Sequence, residues 1–125
     1  MIASISKDFE FSASHRLGGL PEGHQCARTH GHNYVVRVTI RGTVVEPGFV
    51  MDYGDLAPVK AWIDLTLDHQ HLNEVIDVNP TAEHLAMFIA VRVGEIVLVP
   101  GRENINELSV SVSETPKTWA TVVLP

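Results

Sequence analysis

An α+β fold with elements in the order β-β-α-α-β-β is predicted by three observations. Apolar and polar residues alternate with period two over two long stretches, about Ile2 to Ser14 and His30 to Thr43. Apolar residues then recur at helical spacing from Gly54 to Leu67 and again beyond Asn79. Two shorter alternating segments follow Pro100-Gly101.

The first strand places Phe9, Phe11, Ala13 and His15 on one face, because successive side chains of a strand point to opposite sides. A loop from Arg16 to about Thr29 leads to the second strand. There His30, His32, Tyr34, Val36, Val38 and Ile40 share one face, and Arg37, Thr39 and Arg41 the other. After a turn at Glu46-Pro47-Gly48, Leu56, Val59 and Ile63 mark a helix whose start follows Asp52 or Tyr53. Asn79-Pro80-Thr81 opens a second helix, with Asn79 as the expected cap and Pro80 at the first helical position. It carries Leu85, Phe88, Ile89, Val93 and Ile96 and stops before Pro100. A strand near Ile105 to Glu114, a turn at Thr115-Pro116-Lys117 and a strand from Thr118 to Leu124 complete the chain. With no repeat, linker or low-complexity tract, residues 1–125 are expected to form one domain.

Composition narrows the function classes. A formal charge of −6 argues against a broad nucleic-acid or anionic-membrane footprint, which needs clustered Lys and Arg. No apolar run approaches the roughly 20 residues of a membrane span, and Met1-Ile2-Ala3-Ser4 does not open a secretory signal, so a soluble cytoplasmic protein is expected. One cysteine cannot form an internal disulfide, which fits a reducing compartment. Four of the seven histidines fall between positions 15 and 32.

His30-Gly31-His32 is the strongest local signal, since two imidazoles two apart on a strand can reach one ion. A bare pair of this kind also occurs as hydrogen-bonded loop or core histidines. His15, at the end of the first strand's apolar face, adds a third nitrogen if the two strands pair; three histidines with an open position describe a catalytic metal site. Gly31 would permit close approach. Cys26 lies four residues before His30 and could serve as a ligand or as a base activated by the cation. Asp68-His69 suits an imidazole oriented by a carboxylate for proton transfer, although neighbouring residues seldom bond each other directly. Glu114 falls on the parity of Leu108, Val110 and Val112, opposite Ser109, Ser111 and Ser113, so it extends the inward face. Thr81 and Glu83 suit a helix start, as cap and dipole partner, and His24, His71 and His84 read as surface or supporting histidines. The triad alone would also suit a zinc hydrolase or hydratase, which leaves Cys26 and Glu114 without a task.

Phe11-Ser12-Ala13-Ser14-His15, Pro21-Glu22-Gly23-His24, Cys26-Ala27-Arg28-Thr29-His30-Gly31-His32, Leu67-Asp68-His69 and Ser113-Glu114-Thr115 together closely resemble the 6-pyruvoyl-tetrahydropterin synthase family. The three-residue gap from Cys26 to His30 resembles its bacterial 6-carboxy-tetrahydropterin synthase branch, of queuosine (7-deazaguanine) biosynthesis, where animal pyruvoyl-forming members have a longer gap. The resemblance implies a tunnelling fold, a four-stranded antiparallel sheet with two helices on one side. It implies a homo-hexamer, a dimer of trimers, with active sites between subunits. It further implies Zn2+ on His15, His30 and His32, Cys26 as base, Asp68 and His69 as relay, and Glu114 as pterin anchor with Thr81 and Glu83 beside it. The implied reaction converts 7,8-dihydroneopterin triphosphate to 6-carboxy-tetrahydropterin, acetaldehyde and triphosphate without a redox cofactor. Pyruvoyl-forming or aldolase activity, and a non-catalytic pterin-binding module, are the alternatives. Arg16, Arg28 and Lys60 are candidates for the triphosphate, and His71 stands where relatives often carry an aromatic residue.

Overall fold

A computed structural model describes residues 1–125. Strands β1 (Ile2–His15) and β2 (His30–Thr43) form a long antiparallel ladder running from Ile2 opposite Thr43 to His15 opposite His30. Helix α1 (Ala57–Thr66) follows a single turn of 3-10 helix at Tyr53–Leu56, where the Asp52 side chain accepts from the Gly54 N–H at 2.8 Å. Helix α2 (Ala82–Val97) comes next, then β4 (Ile105–Ser113) and β5 (Ala120–Val123). Between the helices lies a two-residue strand, β3 (Gln70–His71), which pairs parallel to β1. The sheet order is β3-β1-β2-β4-β5.

The expected α+β architecture is therefore present, with five strands in place of four. A two-residue strand is too short to show period-two alternation, so β3 leaves no signal in the sequence. The inner sheet face follows the predicted parity: Phe9, Phe11, Tyr34, Val36, Val38, Ile40, Leu108, Val110 and Val112 are buried and join one core with Val59, Ile63, Leu85, Ile89 and Val93 of the helices. Helix α2 packs on β4 and β5, and α1 on β1. No helix is long and apolar enough to cross a membrane.

Helix α2 starts two residues later than expected. Thr81, in extended geometry, is the cap, and its Oγ1 accepts from the His84 N–H at 3.1 Å. Asn79 cannot cap because its side-chain amide is bonded to both backbone groups of Gly18, while the carbonyl of Pro80 is engaged by His15. The last carbonyls of α2, at Ile96 and Val97, accept from the Arg102 guanidinium. Ser111 and Ser113 are buried, contrary to the surface role that alternation assigned them. Ser111 is bonded to Thr121 of β5, which pairs beside β4, and Ser113 to the Thr115 carbonyl, so both hydroxyls are satisfied by the adjoining strand and turn.

At Gly42 the β2–β4 ladder shifts register, and a Cβ there would collide with the Asn104 carbonyl oxygen. A backbone atom cannot yield as a flexible side chain can. Gly42→Ala is expected to destabilise the protein by about 1–3 kcal/mol in urea unfolding, the cost of an overpacked contact.

Candidate active site

The β1–β2 register sets His15 opposite His30, and His32 follows on the same face. The three rings meet edge to face, with centroids 4.5, 5.0 and 4.9 Å apart. One ligand atom from each lies within 4.8 Å of the others. His15 is fully buried, and the other two are partly so.

Carbonyl groups orient two of the rings. His15 Nδ1–H donates to the Pro80 carbonyl at 2.8 Å, with Tyr34 Oη 3.2 Å from the same nitrogen, and His30 Nδ1–H donates to the Arg28 carbonyl at 2.7 Å. Each Nε2 is thereby left with its lone pair, and the two Nε2 atoms lie 2.9 Å apart. Lone pairs at that distance repel unless a proton or a cation lies between them. His32 Nε2 is buried with no hydrogen-bond partner at all, at a cost of about 1–3 kcal/mol for an unsatisfied polar atom. Burial depresses the pKa of both His15 and His32, and the neighbouring imidazoles add to the effect. Three imidazoles converging on one point can hold a metal ion.

Glu114 follows the end of β4, and its Oε2 stands 3.6 Å from His32 Nε2. It partly counters the burial effect on both imidazoles. The same carboxylate lines a cavity of about 340 Å3 with Leu17, Thr81, Glu83, Val112 and Trp119. Thr81 and Glu83 thus combine their helix-start roles with a place beside Glu114. Trp119 was missed by the sequence reading. Its signal in the sequence was a large aromatic five residues after Glu114, just past the expected turn; in the fold Arg37 lies 4.6 Å over its ring.

Cys26 sits in the 3-10 turn Gln25–Ala27 of the loop between β1 and β2, half-buried and outside the group of converging ligand atoms. Its N–H donates to His24 Nδ1 at 3.1 Å, and its carbonyl accepts from the Leu17 N–H at 3.0 Å. Asp68 and His69 contact each other directly, Oδ2 to Nδ1 at 2.9 Å, which the sequence reading did not expect. The left-handed backbone of His69, φ 59°, folds its ring back onto its neighbour. Both residues are also fixed to β1: Asp68 Oδ1 accepts from the Ser12 N–H at 2.9 Å, and the His69 N–H donates to the Ser12 carbonyl at 2.7 Å. These donors, the Ser12 N–H first, lower the Asp68 pKa. The His69 side chain is 84% exposed and lines an open cleft with Ser12, Ser14, Gly31, His32 and Asn33. Gly31 lines this cleft beside His32, on the opposite parity of β2 from His30 and His32. Lys60 is paired with Asp64 on α1 and lines a cleft with Lys7 to Glu10 of β1, apart from the clefts that hold His32 and Glu114.

The chain resembles known proteins over nearly its whole length. The family model described as 6-pyruvoyl tetrahydropterin synthase matches residues 4–124. A protein of Archaeoglobus fulgidus, named provisionally as a 6-carboxy-5,6,7,8-tetrahydropterin synthase, is 35% identical over 122 residues, spanning 98% of this chain and 95% of its own. A protein of Pyrococcus furiosus named dihydroneopterin monophosphate aldolase is 35% identical over 109 residues, spanning 87% of this chain and 89% of its own. The structure of Caenorhabditis elegans 6-pyruvoyl tetrahydropterin synthase superposes with a TM-score of 0.81 at 26% identity, covering 98% of this chain and 95% of that one.

Two outcomes follow from this geometry. A divalent transition ion at a hundred times its Kd is expected to add about 2.7 kcal/mol of unfolding free energy, with the gain abolished in His30→Ala, as read by thermal unfolding with and without metal. Because the Asp68 pKa is depressed below its ordinary 3.8, the stability it contributes is complete above that value and disappears as pH falls through the folded-state pKa. The stability difference between the parent and Asp68→Ala should therefore narrow as pH falls below 3.8, which urea unfolding across pH measures.

Proposed function

The chain belongs to the 6-pyruvoyl tetrahydropterin synthase family, and on that footing we propose that it is a zinc-dependent 6-carboxy-5,6,7,8-tetrahydropterin synthase. The proposed reaction takes 7,8-dihydroneopterin triphosphate to 6-carboxy-tetrahydropterin, acetaldehyde and triphosphate, in queuosine biosynthesis. The observation that carries this reading is the 3.6 Å approach of Glu114 to His32, which joins a metal-competent triad to a cavity edged by a carboxylate.

Each residue has a task that its chemistry suits. The Glu114 carboxylate offers two acceptor oxygens to the two-donor edge formed by the 2-amino and N3 hydrogens of a pterin, with Thr81 and Glu83 beside it. Zinc bound by His15, His30 and His32 would supply Lewis acidity toward the adjacent hydroxyls of the substrate side chain. Cys26 takes a proton from the side-chain carbon, and His69, oriented by Asp68, carries protons to and from the substrate oxygens. The exposed His69 ring faces outward from its own protomer. That supports the further proposal of a homo-hexamer, a dimer of trimers, in which one copy's Asp68–His69 pair completes the site of another.

The Pyrococcus furiosus relative favours a second reading, aldol cleavage of a dihydroneopterin side chain. Mass analysis of the product decides between them. Acetaldehyde and 6-carboxy-tetrahydropterin are expected from 7,8-dihydroneopterin triphosphate, whereas a 6-pyruvoyl product or glycolaldehyde would overturn the carboxy-forming assignment. Cys26→Ala is expected to lower kcat by about 10²–10⁴-fold, the range for loss of a general acid–base. Glu114→Gln is expected chiefly to raise KM, because it removes a charged acceptor from the binding edge. Full activity in both variants would point instead to a hydrolase or hydratase served by the triad alone.

A further inference from the structure

Every second residue from Ser12 to Gly18 is bonded to the segment between Asp68 and Asn79. Ser12 N–H donates to Asp68, and Ser14 Oγ and His71 Nδ1 share a hydrogen bond of 2.9 Å. The backbone pairing of β1 with β3 ends there, at Ser14 opposite His71. Beyond it, two side-chain amides take over. Asn73 Oδ1 accepts from the Arg16 N–H at 2.8 Å, and Asn73 Nδ2–H donates to the Arg16 carbonyl at 2.8 Å. Asn79 does the same to Gly18, at 2.9 and 3.0 Å. An asparagine amide carries the donor and acceptor of a peptide group, so each one substitutes for a strand residue the chain does not supply.

Between these two clamped residues lies Leu17, whose N–H holds the Cys26 carbonyl at 3.0 Å. The loop has little else to hold it. It arches over an open cleft lined by Leu20, Ala27, Ile76 and Val78, and it contains Gly19 and Gly23 at positive φ. Hydrogen bonds, not core packing, therefore set its position.

We propose that Asn73 and Asn79 are positioning residues for Cys26: their amides lock Arg16 and Gly18, and Leu17 between them holds the cysteine turn in the frame of the Asp68–His69 segment. The catalytic consequence rests on the reading of Cys26 as a proton-transferring thiol, but the placement of the thiol can be measured without it. Cys26 is the single cysteine, so alkylation by iodoacetamide reports on it alone.

Asn73→Ala and Asn79→Ala, assayed as metal-loaded protein, should accelerate alkylation of Cys26 by about three- to tenfold through local opening of the loop. They should lower kcat by about tenfold or more, with KM moved less than about threefold, as expected when a reacting group is displaced and binding is intact. The visible spectrum of Co2+ at the triad should be unchanged. Alkylation and kcat at parental values in both folded variants would overturn the proposal, and so would a changed Co2+ spectrum, which would make the clamp a support of the triad. Should the alanine variants not fold, Asn79→Asp keeps the acceptor for the Gly18 N–H and drops the donor, and it should give a smaller acceleration; a parental rate there overturns the proposal equally. Full turnover in Cys26→Ala would remove the catalytic reading of the thiol and leave the alkylation result standing.

Discussion

The candidate site depends on one pairing, His15 opposite His30 at the last rung of the β1–β2 ladder. Both residues end their strands on the core-facing side, so the register that buries Phe9, Phe11, Tyr34 and Val36 also brings the imidazoles together. A one-residue slip would turn every side chain of one strand to the other face and undo core and triad at once. The core thus enforces the geometry of the triad.

That enforcement carries a local penalty. His15 is buried beside two other imidazoles, and His32 keeps an unpartnered nitrogen. The fold tolerates the strain because the ladder and the aromatic stack of Phe11 on Tyr34, at 4.8 Å, overdetermine the position of the strands. The carbonyls of Pro80 and Arg28 then fix which ring nitrogen is bare. Neither carbonyl belongs to the sheet. Pro80 lies in the lead-in to α2 and Arg28 in the loop before β2, so the elements flanking the sheet decide what the sheet's histidines can bind.

Around this rigid centre the remaining polar groups are held by hydrogen bonds at the sheet's end. Glu114 follows the end of β4, Thr81 and Glu83 start α2, and Trp119 precedes β5, so the cavity beside the triad is assembled from the termini of separate elements. The loop carrying Cys26 and the segment carrying Asp68 and His69 are joined through Ser12, Ser14, Arg16 and Gly18. Rigidity passes from β1 outward through side-chain amides where backbone pairing has run out.

The sequence by itself determined the α+β order, the inward face of each long strand and the shared face of His30 and His32, because period-two and helical spacing record which side of an element is buried; the β1–β2 register brought His15 to them. It also marked Glu114 by parity. Only the tertiary structure decided the features that depend on groups distant in the chain. Asn79 lost the capping role because its amide is spent on Gly18; Ser111 and Ser113 became buried beside the paired strand β5 and the turn that precedes it; Asp68 and His69 touch because the backbone turns left-handed between two bonds to β1. Period-based reading sees a residue's own element. Competition among partners 50 or more residues away, as between Asn79 and Gly18 across 61 positions, is settled only when the chain has folded.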